Sequence, residues 1–401
     1  MSQTDFAALA PIYLDYHAST PVDAAVIDAM LPWWQHRTGN PHSEEHSFGW
    51  RARAGIEQAK TQIAGLIRVD AEDIIFTSGA TEANNLALLG LMRFPDRRRN
   101  KLLVSAIEHA SALGPAFELR NEGIQCGVIP VGPDGALNRD AFLTMLDDDV
   151  LLVSVGAVNG EVGTIQDISW IADQCHERGA LLHTDGAQAL TAIPALLGES
   201  GADLVSISAH KAYGPQGVGA LYIAPGITNR MVPLAFGGGQ QSGLRPGTLP
   251  TALCVGFGAA CDLLSVHGAG EREEVARMRD AFIANTLRKM PEATINGPRI
   301  NRHPGNISLQ LLGVDAREII QRVQPAIALS TGSACHSGSN EPSGVLRAIG
   351  LTTDQAFASL RLGIGRFTTV AQLDAAIELL ATALLSEKRI AESPSAYQLT
   401  A

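Results

Sequence analysis

The sequence predicts an α/β chain built on a mainly parallel seven-stranded sheet, with a smaller α/β unit after it. Two observations carry this. Seven short apolar runs alternate with segments of helical period, and the composition then shifts near residue 270. The runs are Ile74 to Thr77, Lys101 to Ser105, Gln125 to Pro130, Val150 to Val155, Ala180 to Thr184, Leu204 to Ser208 and Ala220 to Ile223. They are strand-length and largely apolar, the pattern of strands covered by helices on both faces. Ligands of such sheets sit at the carboxyl ends of the strands. The glycine-rich stretch Phe236 to Gly243 breaks the alternation, and a helical segment runs from Leu249 to about His267. A separate charged helix is expected over Glu271 to Lys289, then strands near Asn306 to Leu312 and Ala326 to Ser330, and a last helix near Val370 to Ser386.

With 401 residues, 46% of them hydrophobic, the chain is long enough for a large core divided into two or three structural units. Only 18% of residues are charged and the formal net charge is -11, which argues against direct nucleic-acid binding. The longest apolar stretches, such as Val150 to Val158, are strand-length, so no membrane span is expected. Met1 to Asp5 lacks the basic and apolar regions of a secretory signal, which makes a cytoplasmic location the expectation. The five cysteines, Cys126, Cys175, Cys254, Cys261 and Cys335, form neither a CxxC pair nor a zinc-type spacing. The first four lie in apolar or helical surroundings that suit inert thiols.

Chemistry concentrates at strand ends. Lys211 follows the run Asp203 to Ser208, and desolvation there would lower its pKa and free an amine for a Schiff base with an aldehyde cofactor such as pyridoxal phosphate. Taken alone, Lys211 reads as a solvated lysine of the turn Tyr213-Gly214-Pro215. Its company changes that reading. Asp185 closes the run Ala180 to Thr184, where a carboxylate would keep a pyridinium nitrogen protonated, and Gln188 follows. Ile74 to Asn85 reads as a strand, a glycine turn and a helix start, able to cradle a dianion with backbone amides and the Thr81 hydroxyl. In isolation the same motif is equally an ordinary helix cap by Ser78 or Thr81. His109 stands at a further strand end, placed to stack on a ring or move a proton. Cys335 lies in the small-residue loop Ser330 to Ser339 beside His336, a context that favours a reactive thiolate.

These residues resemble the cysteine desulfurases, class V aminotransferase-like members of the fold-type I pyridoxal-phosphate enzymes. The resemblance runs from Tyr13 to Pro21 through Gly39 to Ser43, Thr77 to Glu82, Asp185 to Gln188, Ser208 to Gly217 and Arg245 to Thr248 to the Cys335 loop. It implies a large domain over 16–262 and a small domain of 1–15 and 263–401 that carries the cysteine loop. It implies pyridoxal 5'-phosphate on Lys211, with Asp185 at the ring nitrogen, Gln188 at the ring hydroxyl and His109 stacked on the ring. Ala80, Thr81, Ser208 and His210 would hold the phosphate, joined by Thr248 from the partner subunit of a homodimer. Asn40 and Arg361 would clamp the carboxylate of L-cysteine, an arginine doing so in a bidentate way. Cys335 would take the sulfur as a persulfide, release alanine and deliver sulfur to an acceptor protein. The stretch Thr331 through Val345 fits the family's longer loop variant.

Departures from the family pattern bear on this reading. In Val158-Asn159-Gly160-Glu161 a glycine replaces the second asparagine, a cofactor contact. His336 follows the cysteine as in relatives similar to selenocysteine lyases, Pro246 stands where serine is usual, and Gln216 replaces a common lysine. Specialised desulfurases, serving DNA phosphorothioation, tRNA thiolation or iron–sulfur assembly, fit these departures. Selenocysteine lyase and a turnover-deficient scaffold that binds partners are the alternatives.

Overall fold

The computed structural model describes residues 11–332 and 341–392, which form two compact units. The larger unit comprises Ser19–Asn159 and Thr164–Arg272; the smaller takes the described residues before Ser19, Gly160–Gly163 and those from Glu273 onward. The described strands, in chain order, are β1 (Ile12–Tyr13), β2 (Ile74–Thr77), β3 (Lys101–Ser105), β4 (Gln125–Ile129), β5 (Val150–Ser154), β6 (Leu181–Asp185), β7 (Leu204–Ser208), β8 (Gly219–Ile223), β9 (Ala293–Ile295), β10 (Asn306–Leu311), β11 (Ile327–Ala328) and β12 (Ser359–Gly363).

The larger unit holds a seven-stranded sheet in the order β2-β8-β7-β6-β5-β3-β4. β3 through β7 pair in parallel, and β8 runs antiparallel to both β7 and β2. Two reversals restore direction, so the carboxyl end of β2 shares an edge with those of β3, β5, β6 and β7. The apolar side chains that made these runs recognisable, among them Leu102, Val104, Leu152, Leu204 and Leu221, pack with Leu86, Leu88, Leu91 and Met92 of the helix Ala80–Met92. From Leu86 to Met92 that helix is buried on every side and is accordingly apolar all round.

The two helices expected on either side of residue 270 are one, Thr251–Lys289, of 39 residues. Gly268 and Gly270 fall at the expected break, which the change in composition near residue 270 suggested. A helix tolerates them at about 1 kcal/mol each, and the good helix formers that follow carry it on. The compositional shift is a change of unit along a continuous helix, since the division falls at Arg272. This helix also corrects the expectation about apolar stretches. One 18-residue window has a mean hydropathy of 1.4, enough in length and composition to cross a membrane, yet half of that window is buried inside the protein. Phe257, Ala260, Cys261 and Leu264 are among its buried residues, and it reads as a core helix.

The smaller unit has a three-stranded antiparallel sheet, β12-β10-β9, and a parallel pair of β1 with β11. Leu309, Leu311, Leu360 and Leu362 pack with Ile319 of the helix Ala316–Val323 and with Ile377 and Leu380 of the helix Val370–Glu392. β12 was not anticipated as a strand. The extended segment expected over Ala326 to Ser330 is shorter, with Ser330 forming an isolated bridge to Arg361.

Candidate active site

At the end of β2 the chain turns through Gly79, at φ 155°, into the helix Ala80–Met92, and no side chain caps that helix. Thr77 Oγ1 donates to the Gly79 carbonyl at 2.9 Å instead. Glu82 in the first turn accepts from Ser78 N at 2.6 Å and from Arg245 Nε at 2.9 Å. Burial raises the Glu82 carboxyl, but the bonds from Arg245 and Ser78 outweigh it and hold its pKa below the ordinary value. Arg245 thus neutralises the one acidic group of the first turn, and the dipole and amides of the helix start remain free to attract an anion.

β7 leads into a 3-10 turn, Ala209–Lys211. In the pairing of β2, β8 and β7, Thr77 and Ser208 flank the same residue, Gly219. The glycine turn and the lysine turn therefore stand level, roughly 10 Å apart across one intervening strand. Gly219 must be glycine, because a Cβ there would lie 2.6 Å from Gly79 Cα and 2.5 Å from the Ile207 carbonyl oxygen. The lysine turn is braced by Thr20, whose backbone and side chain both donate to the His210 carbonyl while its hydroxyl accepts from Tyr213 N. His210 Nδ1 lies 3.3 Å from Ser19 Oγ. Burial, reinforced by the Lys211 charge, pushes the His210 pKa down to about 4, so its imidazole is neutral at pH 7. Lys211 itself is partly buried.

One strand over, Asp185 ends β6, paired with Ser206. Its carboxylate accepts from Asn84 Nδ2 at 2.7 Å and from Ala187 N at 2.9 Å. Both donors are neutral, and among the described residues no cationic side chain bonds to this buried group. A buried carboxylate without a cation is costly. A protonated ring nitrogen would fill that need, so the donor set fits a pyridinium cofactor. Gln188 is half-buried in the turn after Asp185.

His109 follows β3 as the N-cap of the helix Ala110–Asn121, its Nδ1 accepting from Ser111 N at 3.1 Å and lying 2.8 Å from Ser111 Oγ. Its neighbour Glu108 is fully buried and accepts from Gly156 N at 2.7 Å. Burial, opposed by the Gly156 bond and reinforced by the Asp185 charge, raises the Glu108 pKa to about 8. Asn159 donates to the Ile107 carbonyl at 2.9 Å and pins the same loop. Asn40 and Thr248 are exposed, and Asn40 Oδ1 accepts from His42 N in a local turn.

Arg361 belongs to the smaller unit. It is buried on β12, donates from Nη1 to the Gly332 carbonyl at 2.9 Å and from Nη2 to Asp15 at 2.8 Å, and keeps Nε without an acceptor among the described residues. Glu161 of the same unit is raised to about 7 by burial, against the effect of a Ser343 hydrogen bond and the Arg361 charge. Gly332, at φ 98°, passes so close to Glu161 that a Cβ would come within 2.6 Å of its carboxylate oxygen. Cys335 and His336 lie outside the described residues. Of the other cysteines, burial pushes Cys175 and Cys254 up to about 12 and Cys261 upward as well, as inert thiols require.

The larger unit thus gathers Lys211, Ser208, Asp185, His109 and the Ala80–Thr81 turn at one sheet edge. Sequence reasoning missed Asn84, Ser111, Glu108, Thr20 and the Asp15 partner of Arg361. A signal existed for Asn84: it shares a helix stripe with the buried Leu88 and Leu91, where a polar residue needs a partner.

The Aminotransferase class-V family model matches residues 12–376. The cysteine desulfurase IscS of Rickettsia typhi is 44% identical over 370 residues, covering 92% of this chain and 90% of its own. Among solved structures, a NifS-like protein superposes with a TM-score of 0.87 at 27% identity, over 94% of this chain and 100% of that one. A structure described as SspA in complex with cysteine gives 0.79 at 31% identity, over 89% of this chain and 100% of the other.

Proposed function

The chain belongs to the class-V aminotransferase family and, within it, to the pyridoxal-phosphate-dependent cysteine desulfurases, and on that premise we propose how its own residues divide the work. Lys211 anchors the cofactor, Ala80, Thr81, Ser208 and His210 hold its phosphate, Asp185 accepts the protonated ring nitrogen, Gln188 meets the ring hydroxyl and His109 is the imidazole neighbour of the ring. When bound, the group supplies an electron sink beside the substrate's α-carbon. The observation that carries this reading is the shared edge, where Thr77 and Ser208 flank Gly219 and the buried Asp185 has no cationic hydrogen-bond donor among the described residues.

L-Cysteine is the substrate. Arg361 offers its unsatisfied Nε to the substrate carboxylate, with Asn40 as second donor. Lys211 removes the α-proton. Cys335 takes the substrate sulfur as a persulfide, alanine leaves, and the sulfur passes to an acceptor protein. Two features support a homodimer in which Thr248 serves the partner's site: Thr248 is exposed, and Ile27, Leu31 and Trp34 present apolar surface on one helix. Sedimentation would test it. The larger unit of the division read from the sequence, 16–262, then binds the cofactor, and the small domain bears the cysteine. We place the protein in the cytoplasm, acting without direct contact with nucleic acid or membrane.

The deciding assay is alanine and sulfide production from L-cysteine, beside L-selenocysteine, by the protein and its Cys335→Ser variant. Cysteine turnover that disappears with Cys335 is expected. Turnover confined to selenocysteine would move the assignment to a selenocysteine lyase, and no turnover of either would leave a partner-binding scaffold.

A further inference from the structure

Asn84 is fully buried in the helix Ala80–Met92, and its amide nitrogen makes two bonds, to Asp185 Oδ2 at 2.7 Å and to Ser111 Oγ at 2.8 Å. Chemistry fixes the orientation of the amide. A carboxylate only accepts, so the NH2 group must face Asp185. That orientation leaves Asn84 Oδ1 buried without a partner among the described residues, which is destabilising. The residue is held there for its two donors.

The chain of bonds continues. Ser111 Oγ receives the second amide proton, which directs its own proton to His109 Nδ1, 2.8 Å away. The Ser111 backbone N–H, 3.1 Å from the same nitrogen, can only donate. Two donors on Nδ1 leave it unprotonated, and the neutral imidazole then carries its proton on Nε2. Helix capping alone accounts for the backbone contact. It does not account for a buried amide that spans the serine hydroxyl and a carboxylate 101 residues away.

We infer that Asn84 and Ser111 are positioning residues of the active site: one buried amide sets the Asp185 carboxylate and, through the Ser111 hydroxyl, locks His109 as its Nε2–H tautomer. The inference rests on the reading of Asp185 and His109 as cofactor neighbours and adds to it. With Nδ1 engaged, His109 presents a donor through Nε2 and has no vacant nitrogen for an incoming proton. Proton removal from substrate therefore falls to Lys211. Asp185, at the end of β6, and His109, in the loop after β3, are coupled through one side chain.

The test uses the full chain labelled with 15N-histidine, recorded without and with pyridoxal phosphate, the His109 signals being identified by their loss in His109→Gln. Nδ1 is expected unprotonated and Nε2 protonated in the wild type. In Ser111→Ala the Nδ1–H tautomer should become detectable, and Ser111→Thr, which keeps a hydroxyl, should restore the wild-type pattern. Asn84→Ala should release the tautomer too, and weaken pyridoxal phosphate binding about tenfold in a spectral titration, the scale of one lost bond to a charged group. Ser111→Ala deletes a single oxygen, so the tautomer result stands even where Asn84→Ala does not fold. A wild-type proton on Nδ1, or an unchanged tautomer in Ser111→Ala, would overturn the inference. Wild-type protein that does not bind pyridoxal phosphate would overturn the proposed function instead, a separate outcome of the same titration.

Discussion

Arg361 Nη2 donates to Asp15 Oδ1 at 2.8 Å, tying β12 to the segment just after β1 within the smaller unit. Their side chains are 7% and 19% exposed, so loss of one leaves the other's charge stranded away from water. Breaking such a pair costs about 3 kcal/mol. Asp15→Ala should lower the urea midpoint accordingly. It should also raise KM for cysteine more than it lowers kcat, because Asp15 fixes the guanidinium that we propose receives the substrate carboxylate. An unchanged KM would detach Arg361 from substrate binding.

Gly219 offers a second test, since its hypothetical Cβ meets only backbone nearby: the Ile207 carbonyl oxygen at 2.5 Å and Gly79 Cα at 2.6 Å. Backbone cannot rotate away. Gly219→Ala should destabilise by about 2 kcal/mol through overpacking, and should weaken cofactor binding because the Gly79 turn, which we propose leads into the phosphate site, is what gives way. Gly65→Ala is the control. It lies in the helix Ser47–Ile67 with nothing within 4 Å of the added methyl, and should be neutral or stabilising by about 0.5–1 kcal/mol. Equal losses in both variants would contradict the close approach at Gly219.

Lys211→Ala should preserve the fold, because Thr20 holds the turn through its bonds to the backbone of His210 and Tyr213. The visible absorption of the bound cofactor should disappear and turnover should fall by roughly 10³-fold or more. Far-ultraviolet circular dichroism beside the absorption spectrum separates this from unfolding. A variant that keeps the visible band would place the anchoring amine elsewhere.

The central strands of the larger unit were legible because burial on both faces leaves them as runs rich in Val, Ile and Leu, while the edge strand β4 is partly exposed and less apolar. Their directions were less so. β8 is antiparallel, and the sign of it was the short connection, residues 209–218, too brief for a crossover helix. β12 escaped notice because Arg361 interrupts its apolar residues. Lys211, Asp185 and His109 were readable as chemistry because each closes an apolar run. Ser111 was not, since its bond from Asn84 spans 27 residues and nothing local marks it; Asn84 showed only as a polar residue on a buried stripe, its Asp185 partner lying 101 residues away. Glu108 was read only as the residue before His109, because its protonation depends on burial and on Asp185.

That protonation gives the protein a pH dependence with a definite sign. Glu108 rises from 4.5 to about 8, so between those values the folded chain keeps a proton that the unfolded chain has lost. Its contribution to stability is complete below 4.5 and declines as pH rises toward 8. Glu161, raised to about 7, acts in the same sense but stops sooner. His183, His210 and His303 are pushed by burial to about 4, 4 and 3, and act oppositely, adding stability as pH rises to 6.5 and nothing beyond. The window from pH 6.5 to 8 therefore isolates the glutamates. Glu108 alone should cost about 2 kcal/mol across it, at roughly 1.4 kcal/mol per pH unit. Glu108→Gln keeps an oxygen for the Gly156 N–H and cannot ionise, so urea unfolding at the two ends of the window should show the wild type losing that much more than the variant. Parallel losses in the two proteins would mean that Glu108 is already ionised at pH 6.5 and that the Asp185 carboxylate has a charged neighbour.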